Sequence, residues 1–268
     1  MTDITKIKKI IEESGNNLHY KVVDFLRANG WYVLVSPYYT DNFSEKPREI
    51  DIIAEKNFQT ASFGQFIGTI NIQLFIECKY IKEDTVFWFD ERNKREAVDL
   101  VLRTTPLEDP RNYSMTGDHH YLTNSLVAKL FASKAQSPDG EVFYKAITQS
   151  LNGMIAYSQN GSILPDIFNN TRNDMIKTAL KYPVIISNSF DNLYKHDVIQ
   201  KGEPEKITEN FEIETQYAYF DHSKNQRNEF FLIDVASLNT LENYLQMLET
   251  KDLKAVKEKI FWDNRNNN

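Results

Sequence analysis

Two stretches frame this chain: Pro47-Arg48-Glu49-Ile50-Asp51-Ile52-Ile53-Ala54-Glu55, and Leu74-Phe75-Ile76-Glu77-Cys78-Lys79-Tyr80. Both are Ile-rich apolar runs of strand length, and each carries charge where a buried strand would exclude it. Residues two apart on a strand share a face. Glu77 and Lys79 therefore project together with Phe75. Ile72, Leu74, Ile76, Cys78 and Tyr80 project the other way and are expected to pack under helices. A strand carrying Asp51 alongside would bring Asp51, Glu77 and Lys79 to one end of a small sheet.

Two carboxylates and an amine at one point suit phosphodiester hydrolysis. The carboxylates offer hard oxygen ligands of the kind Mg²⁺ takes. Such an ion offsets developing charge and helps to generate a nucleophile. The lysine can orient or deprotonate water, or stabilise the transition state. The competing explanation is a surface salt bridge between Glu77 and Lys79, a pairing that is common and contributes little. What weighs against it is the upstream Arg-Glu-Ile-Asp-Ile-Ile run.

The order of a helix, Gly30-Trp31-Tyr32-Val33, Pro47-Arg48-Glu49-Ile50-Asp51-Ile52 and Ile76-Glu77-Cys78-Lys79 resembles the PD-(D/E)XK nuclease superfamily, with its restriction-endonuclease-like fold. The resemblance covers roughly the first 80 residues and, more weakly, residues 141 to 158. It implies an α/β fold with a mixed central β-sheet flanked by helices, and a Mg²⁺-dependent endonuclease in which Mn²⁺ can substitute. It implies Asp51, Glu77 and Lys79 as catalytic residues, with Asp51, Glu77 and the backbone carbonyl of Cys78 holding the metal. The family often adds a carboxylate from the first helix, but His19 stands at that position. Glu13 and His19 are the auxiliary candidates in its place. Gln149 is another, because related families carry a Gln on the helix that follows the Glu-x-Lys strand. The Tyr that often follows it by four residues is replaced by Gly153. DNA is the expected partner ahead of RNA, with a homodimer or a defence or repair complex as the assembly the resemblance suggests. The alternative is a catalytically inactive module of the same type that binds nucleic acid or a protein.

The composition is that of an ordinary globular chain: 268 residues, 41% hydrophobic and 26% charged. No apolar run approaches the ~20 residues that cross a bilayer. Met1 to Lys6 has no apolar core of a secretory leader, and the single Cys78 excludes an intrachain disulfide framework, so the expected location is the cytoplasm. A net charge of -7 argues against a basic coat and predicts modest, salt-sensitive nucleic-acid affinity.

Along the chain, residues 3 to 28 read as helical in two pieces, with Gly and Asn favouring a break or recap within Glu12-Glu13-Ser14-Gly15-Asn16-Asn17, and 31 to 39 as strand. Residues 57 to 68 read as a connection. Residues 82 to 140 read as an insertion into a single domain whose core is 1–81 and 141–262, with a polar tail at 263–268. Within the insertion, Phe87 and Phe89 are expected in the core, and the charges around Arg92 on a solvated face. Asp118-His119-His120 resembles the signature tripeptide of another phosphoesterase class but lacks that class's upstream Asp motifs, so it reads as coincidence. With five His, one Cys and no paired spacing, a zinc site is not expected. Helices are expected over 141–157, 166–181 and 238–261. Strands are expected over 182–187, 210–220 and 229–235.

Overall fold

The computed structural model describes residues 4–41, 44–62, 65–104, 118–133, 141–157, 162–164, 176–221 and 223–258. It begins with two helices, α1 (Ile4–Glu13) and α2 (Gly15–Ala28). Ser14 separates them in extended conformation, and its hydroxyl accepts the Asn17 N–H at 3.2 Å, capping α2. After α2 the chain turns at Gly30, whose φ of 78° suits a residue with no Cβ.

The strands are β1 (Tyr32–Val35), β2 (Tyr38–Thr40), β3 (Pro47–Glu49), β4 (Ile52–Ser62), β5 (Gln65–Lys79), β6 (Thr85–Glu91), β7 (Leu126–Ser133), β8 (Ile176–Ser187), β9 (Leu193–Asp197), β10 (Glu205–Lys206), β11 (Phe211–Phe220) and β12 (Gln226–Ser237). Ten of them form one mixed sheet in the order β1-β4-β5-β8-β12-β11-β7-β6-β9-β10, while β2 and β3 form a separate hairpin. The remaining helices are α3 (Lys94–Thr104), α4 (His120–Thr123), α5 (Glu141–Tyr157) and α6 (Leu241–Met247). A π-helical turn follows α6 over Leu248–Asp252, and the chain is helical again over 253–258.

β5 is the spine of the sheet. It pairs antiparallel with β4 and parallel with β8, in unbroken register from Gly68↔Ile176 to Lys79↔Ser187. Ile70, Ile72, Leu74, Phe75 and Ile76 are all buried, as expected of a strand covered on both faces. α5 packs on β5 and β8 over one face. α6 and the π-helical turn lie over the other, where Tyr244 reaches Asp234 of β12. The fold is thus mixed α/β, with a large mixed central sheet flanked by helices.

Several local expectations are corrected. Residues 57 to 62 and 65 to 68 are not a connection but the end of a long β4–β5 hairpin, with a bulge at Thr60/Ala61. Across the ladder Asn57 donates to Asn71 at 2.6 Å. The helix expected over 166–181 gives way to strand from Ile176 onward; 165–175 lie outside the described residues. Ile176 and Leu180 fit a period of four and a period of two equally well, and pairing with β5 selects the strand. The stretch read as an insertion supplies β6 and β7 to the ten-stranded sheet. Phe87 and Phe89 are buried there. Arg92 is buried too rather than solvated, ion-paired with Glu212 at 2.9 Å. The 263–268 tail lies outside the described residues.

Candidate active site

Asp51 sits in a bend between β3 and β4, not within a strand. The chain changes sheets there: β3 pairs with β2, and β4 starts at Ile52 in the large sheet. Ser36 donates its N–H to the Asp51 carbonyl at 2.8 Å and holds the bend against β1. Because the β4 backbone has turned away, β5 would lose a ladder acceptor beside Cys78. The Asp51 carboxylate takes that place, with Cys78 N–H donating to Oδ2 at 2.7 Å. The other carboxylate oxygen has no hydrogen-bond partner among the described residues.

Glu77 and Lys79 project to the same face of β5, as alternation requires. Lys79 Nζ donates to Glu77 Oε2 at 2.9 Å, and the Asp51 backbone N–H donates to Glu77 Oε1 at 3.3 Å. Glu77 is wholly buried, while the Lys79 side chain is 19% exposed, so of the pair only the lysine reaches solvent. Burial, with the neighbouring Asp51 charge, raises the Glu77 carboxyl to about 7, against the pull of Lys79. A group poised there exchanges a proton readily at neutral pH.

Gln149 of α5 reaches the same group. Its Oε1 accepts from Lys79 Nζ at 3.4 Å, and its Nε2 donates to the Glu49 carbonyl at 3.4 Å. One side chain thereby ties the amine on β5 to the hairpin that leads into Asp51. α5 lies close enough because Gly153, on the next turn, faces Ile50. A Cβ there would stand 2.6 Å from Ile50 Cδ1.

Asp51, Glu77, Lys79 and Gln149 therefore meet, as does the Cys78 backbone. His19 is buried on α2, a helix that packs on β4 and β5, and its Nε2 has no partner among the described residues. No hydrogen bond joins it to the other four. Glu13 ends α1, and its side chain lies outside the described residues.

A second polar cluster, unanticipated as such, lies on the opposite face of the sheet. His120, expected as coincidence, is held between two carboxylates: its Nδ1 lies 2.5 Å from Asp252 Oδ2 and its Nε2 3.1 Å from Asp234 Oδ1. The hydroxyls of Tyr121 and Tyr244 donate to Asp234 Oδ2, and that of Tyr182 to Asp252 Oδ2. Asp252 Oδ1 accepts the His120 backbone N–H at 2.8 Å. Burial alone would lower the His120 pKa, but Asp252 and Asp234 outweigh it and raise it to about 10. Burial instead dominates at His119, which falls to about 4. Ligand atoms of His119, His120 and Asp252, and of His120, Glu212 and Asp234, lie close enough together to hold a metal ion. Donors already occupy each of the four Asp234 and Asp252 oxygens, so the cluster is complete as a network built on a charged imidazole. The sequence did hold a signal for it: Asp234 interrupts the buried run Phe230-Phe231-Leu232-Ile233, just as Glu77 interrupts β5.

No family model matches the chain, and no curated protein or solved structure matches it. Among the described residues no helix is long and apolar enough to cross a membrane.

Proposed function

We propose that the chain is a divalent-metal-dependent nuclease of the restriction-endonuclease-like kind that hydrolyses phosphodiester bonds in DNA. The observation that carries this is the meeting of Asp51, Glu77 and Lys79 at one end of β5, with Glu77 buried and Asp51 and Lys79 partly exposed beside it. The donor set fits a small hard cation. Asp51 has an unengaged oxygen, and Glu77 is a buried carboxylate whose ionised form an ion would favour. Asp51 and Glu77 would hold Mg²⁺ or Mn²⁺, with the Cys78 carbonyl as a further donor. Bound there, the metal would neutralise charge building on the phosphate and acidify water. Lys79, held by Glu77 and Gln149, orients the attacking water and stabilises negative charge at the phosphoryl oxygens. Gln149 fixes the amine relative to the Glu49–Asp51 turn.

The test is incubation of the pure protein with duplex DNA, single-stranded DNA and RNA in Mg²⁺, Mn²⁺ or EDTA, beside Asp51→Asn and Lys79→Ala. Asparagine keeps an acceptor for Cys78 N–H, so it separates chemistry from folding. Metal-dependent cleavage of DNA, lost in both variants, is expected. Full activity in folded Asp51→Asn would overturn the assignment.

His19, at the position where the resemblance implies a carboxylate, favours a second reading: an inactive module that binds nucleic acid or a protein. Calorimetric titration separates the two. Absence of Mg²⁺ and Mn²⁺ binding, with or without DNA, would support the module.

A further inference from the structure

Among the described residues the buried tyrosines divide in two. Tyr121, Tyr182 and Tyr244 each donate a hydroxyl to Asp234 or Asp252. Tyr39 of β2 is only 7% exposed and its ring belongs to the hydrophobic core, yet its hydroxyl has no hydrogen-bond partner among the described residues. Buried hydroxyls are normally paired, and a phenylalanine would fill such a position without the polar cost. The hydroxyl lies on the side of the candidate site. After burial itself, the charges of Asp41 and Glu77 do most to raise its pKa, so it remains a proton donor at working pH. Arg48 stands directly across the β2–β3 ladder from Tyr39. It is exposed, its guanidinium has no ion-pair or hydrogen-bond partner among the described residues, and its charge also acts on Tyr39. α5 fixes the hairpin that carries both. Asn152 donates to Asp41 Oδ2 at 3.2 Å, Gln149 to the Glu49 carbonyl at 3.4 Å and Tyr157 to the Tyr38 carbonyl at 3.0 Å.

We propose that Tyr39 and Arg48 form a phosphate subsite that holds the DNA backbone beside the scissile phosphodiester; this rests on the nuclease reading above. A free O–H and a free cation on one face of the hairpin suit a ligand that both accepts a hydrogen bond and is negative, and a non-bridging phosphate oxygen does both. A cation would be repelled by Arg48, and a neutral amide or hydroxyl would leave the guanidinium unused. Asp41 does not compete for the Tyr39 hydroxyl, because Ser44 and Asn152 already engage its two oxygens. Arg48 precedes Asp51 by three residues, so a phosphate held here adjoins the one presented to Asp51, Glu77 and Lys79. A contact to a phosphate that does not react holds ground state and transition state equally. It therefore sets KM and leaves kcat alone.

The test uses the full chain and labelled duplex DNA. Binding is followed by anisotropy in Ca²⁺, which takes oxygen ligands as Mg²⁺ does, and cleavage is followed in Mg²⁺. Tyr39→Phe should melt at the wild-type temperature, since no hydrogen bond is lost. It should weaken binding and raise KM about tenfold, with kcat within about twofold of wild type. Arg48→Ala should weaken binding by a similar factor and make the plot of log K against log salt shallower by about 1, while Arg48→Lys keeps the wild-type slope. The double variant should lose less than the two single losses combined, because both groups hold one phosphate. Variants that bind and cleave like wild type overturn the subsite and leave the nuclease reading standing. An unchanged salt slope in Arg48→Ala, or a fall in kcat at unchanged KM in Tyr39→Phe, overturns it too. A wild type that binds DNA without cleaving it, with the same binding losses in the variants, supports the phosphate contact and overturns the nuclease reading. A wild type that neither binds nor cleaves DNA overturns both.

Discussion

Glu77 is wholly buried, its carboxyl is raised to about 7, and among the described residues its two oxygens meet only the Asp51 N–H and the Lys79 amine. A buried carboxylate so lightly compensated contributes little to folding and often opposes it. Glu77→Gln should therefore leave stability unchanged or raise it by about 1 kcal/mol in chemical denaturation, as trading an active-site charge for packing commonly does. The same variant should lose metal binding by calorimetry. Asp51 behaves differently, because its carboxylate completes the β5 ladder. Asp51→Ala leaves Cys78 N–H without its acceptor and should lower stability by about 1–2 kcal/mol. Equal stability losses for the two variants would show that these carboxylates do not divide their roles in this way.

At the level of elements, α5 and α6 approach the sheet from opposite faces, and each docks through a specific group. Gly153 lets α5 close on Ile50, the residue before Asp51. Gly153→Ala should overpack that contact, costing about 1–3 kcal/mol, and, on the proposed nuclease reading, should also reduce cleavage by displacing the bend. Retained stability together with retained cleavage would mean that Ile50 simply moves aside. On the other face, His120 ties α4 to β12 and to the π-helical turn that ends on Asp252. Replacing one member of a buried charged network leaves the others unpaired, so His120→Phe should cost about 3–5 kcal/mol. Its pH dependence has a definite sign. The His120 pKa is raised from 6.5 to about 10, so its contribution is full below 6.5 and is lost as pH rises through 10. The His119 pKa is lowered to about 4, so its neutral form stabilises above 6.5, and that contribution is lost as pH falls through 4. Denaturation across pH should show this network strongest near pH 6.5, weakening toward 4 on the acid side and toward 10 on the alkaline side, and His120→Phe should flatten the alkaline side.

Over the whole molecule, a single sheet runs from β1 to β10 and takes strands from every part of the chain. β5 pairs with β8 a hundred residues later, and the segment containing β6, α3, α4 and β7 is woven between β9 and β11. Thermal unfolding followed by near-ultraviolet and far-ultraviolet signals should give one coincident transition. Separate transitions for the β1-β4-β5-β8-β12 half and the β11-β7-β6-β9-β10 half would mean that the continuous ladder does not make the unit cooperative.

By itself, the sequence determined the elements whose pattern is local. The two N-terminal helices broken between Glu12 and Asn17, α5 over Glu141–Tyr157, and the alternation that sends Glu77 and Lys79 to one face all follow from period and composition, while Ser14 as the cap emerged only in the fold. It also marked the candidate site, since charge inside an Ile-rich strand is visible without coordinates. Only the tertiary structure decided the rest, because its causes lie far apart in the chain. Residues 176–181 are strand because β5 offers a ladder. Asp51 is a bend residue because two sheets meet there. Gly153 is small because Ile50 lies beneath it. Asp118-His119-His120 read as a chance tripeptide because the partners of His120, Asp234 and Asp252, are more than a hundred residues away. A buried histidine becomes a charged keystone only when folding brings those two carboxylates to it.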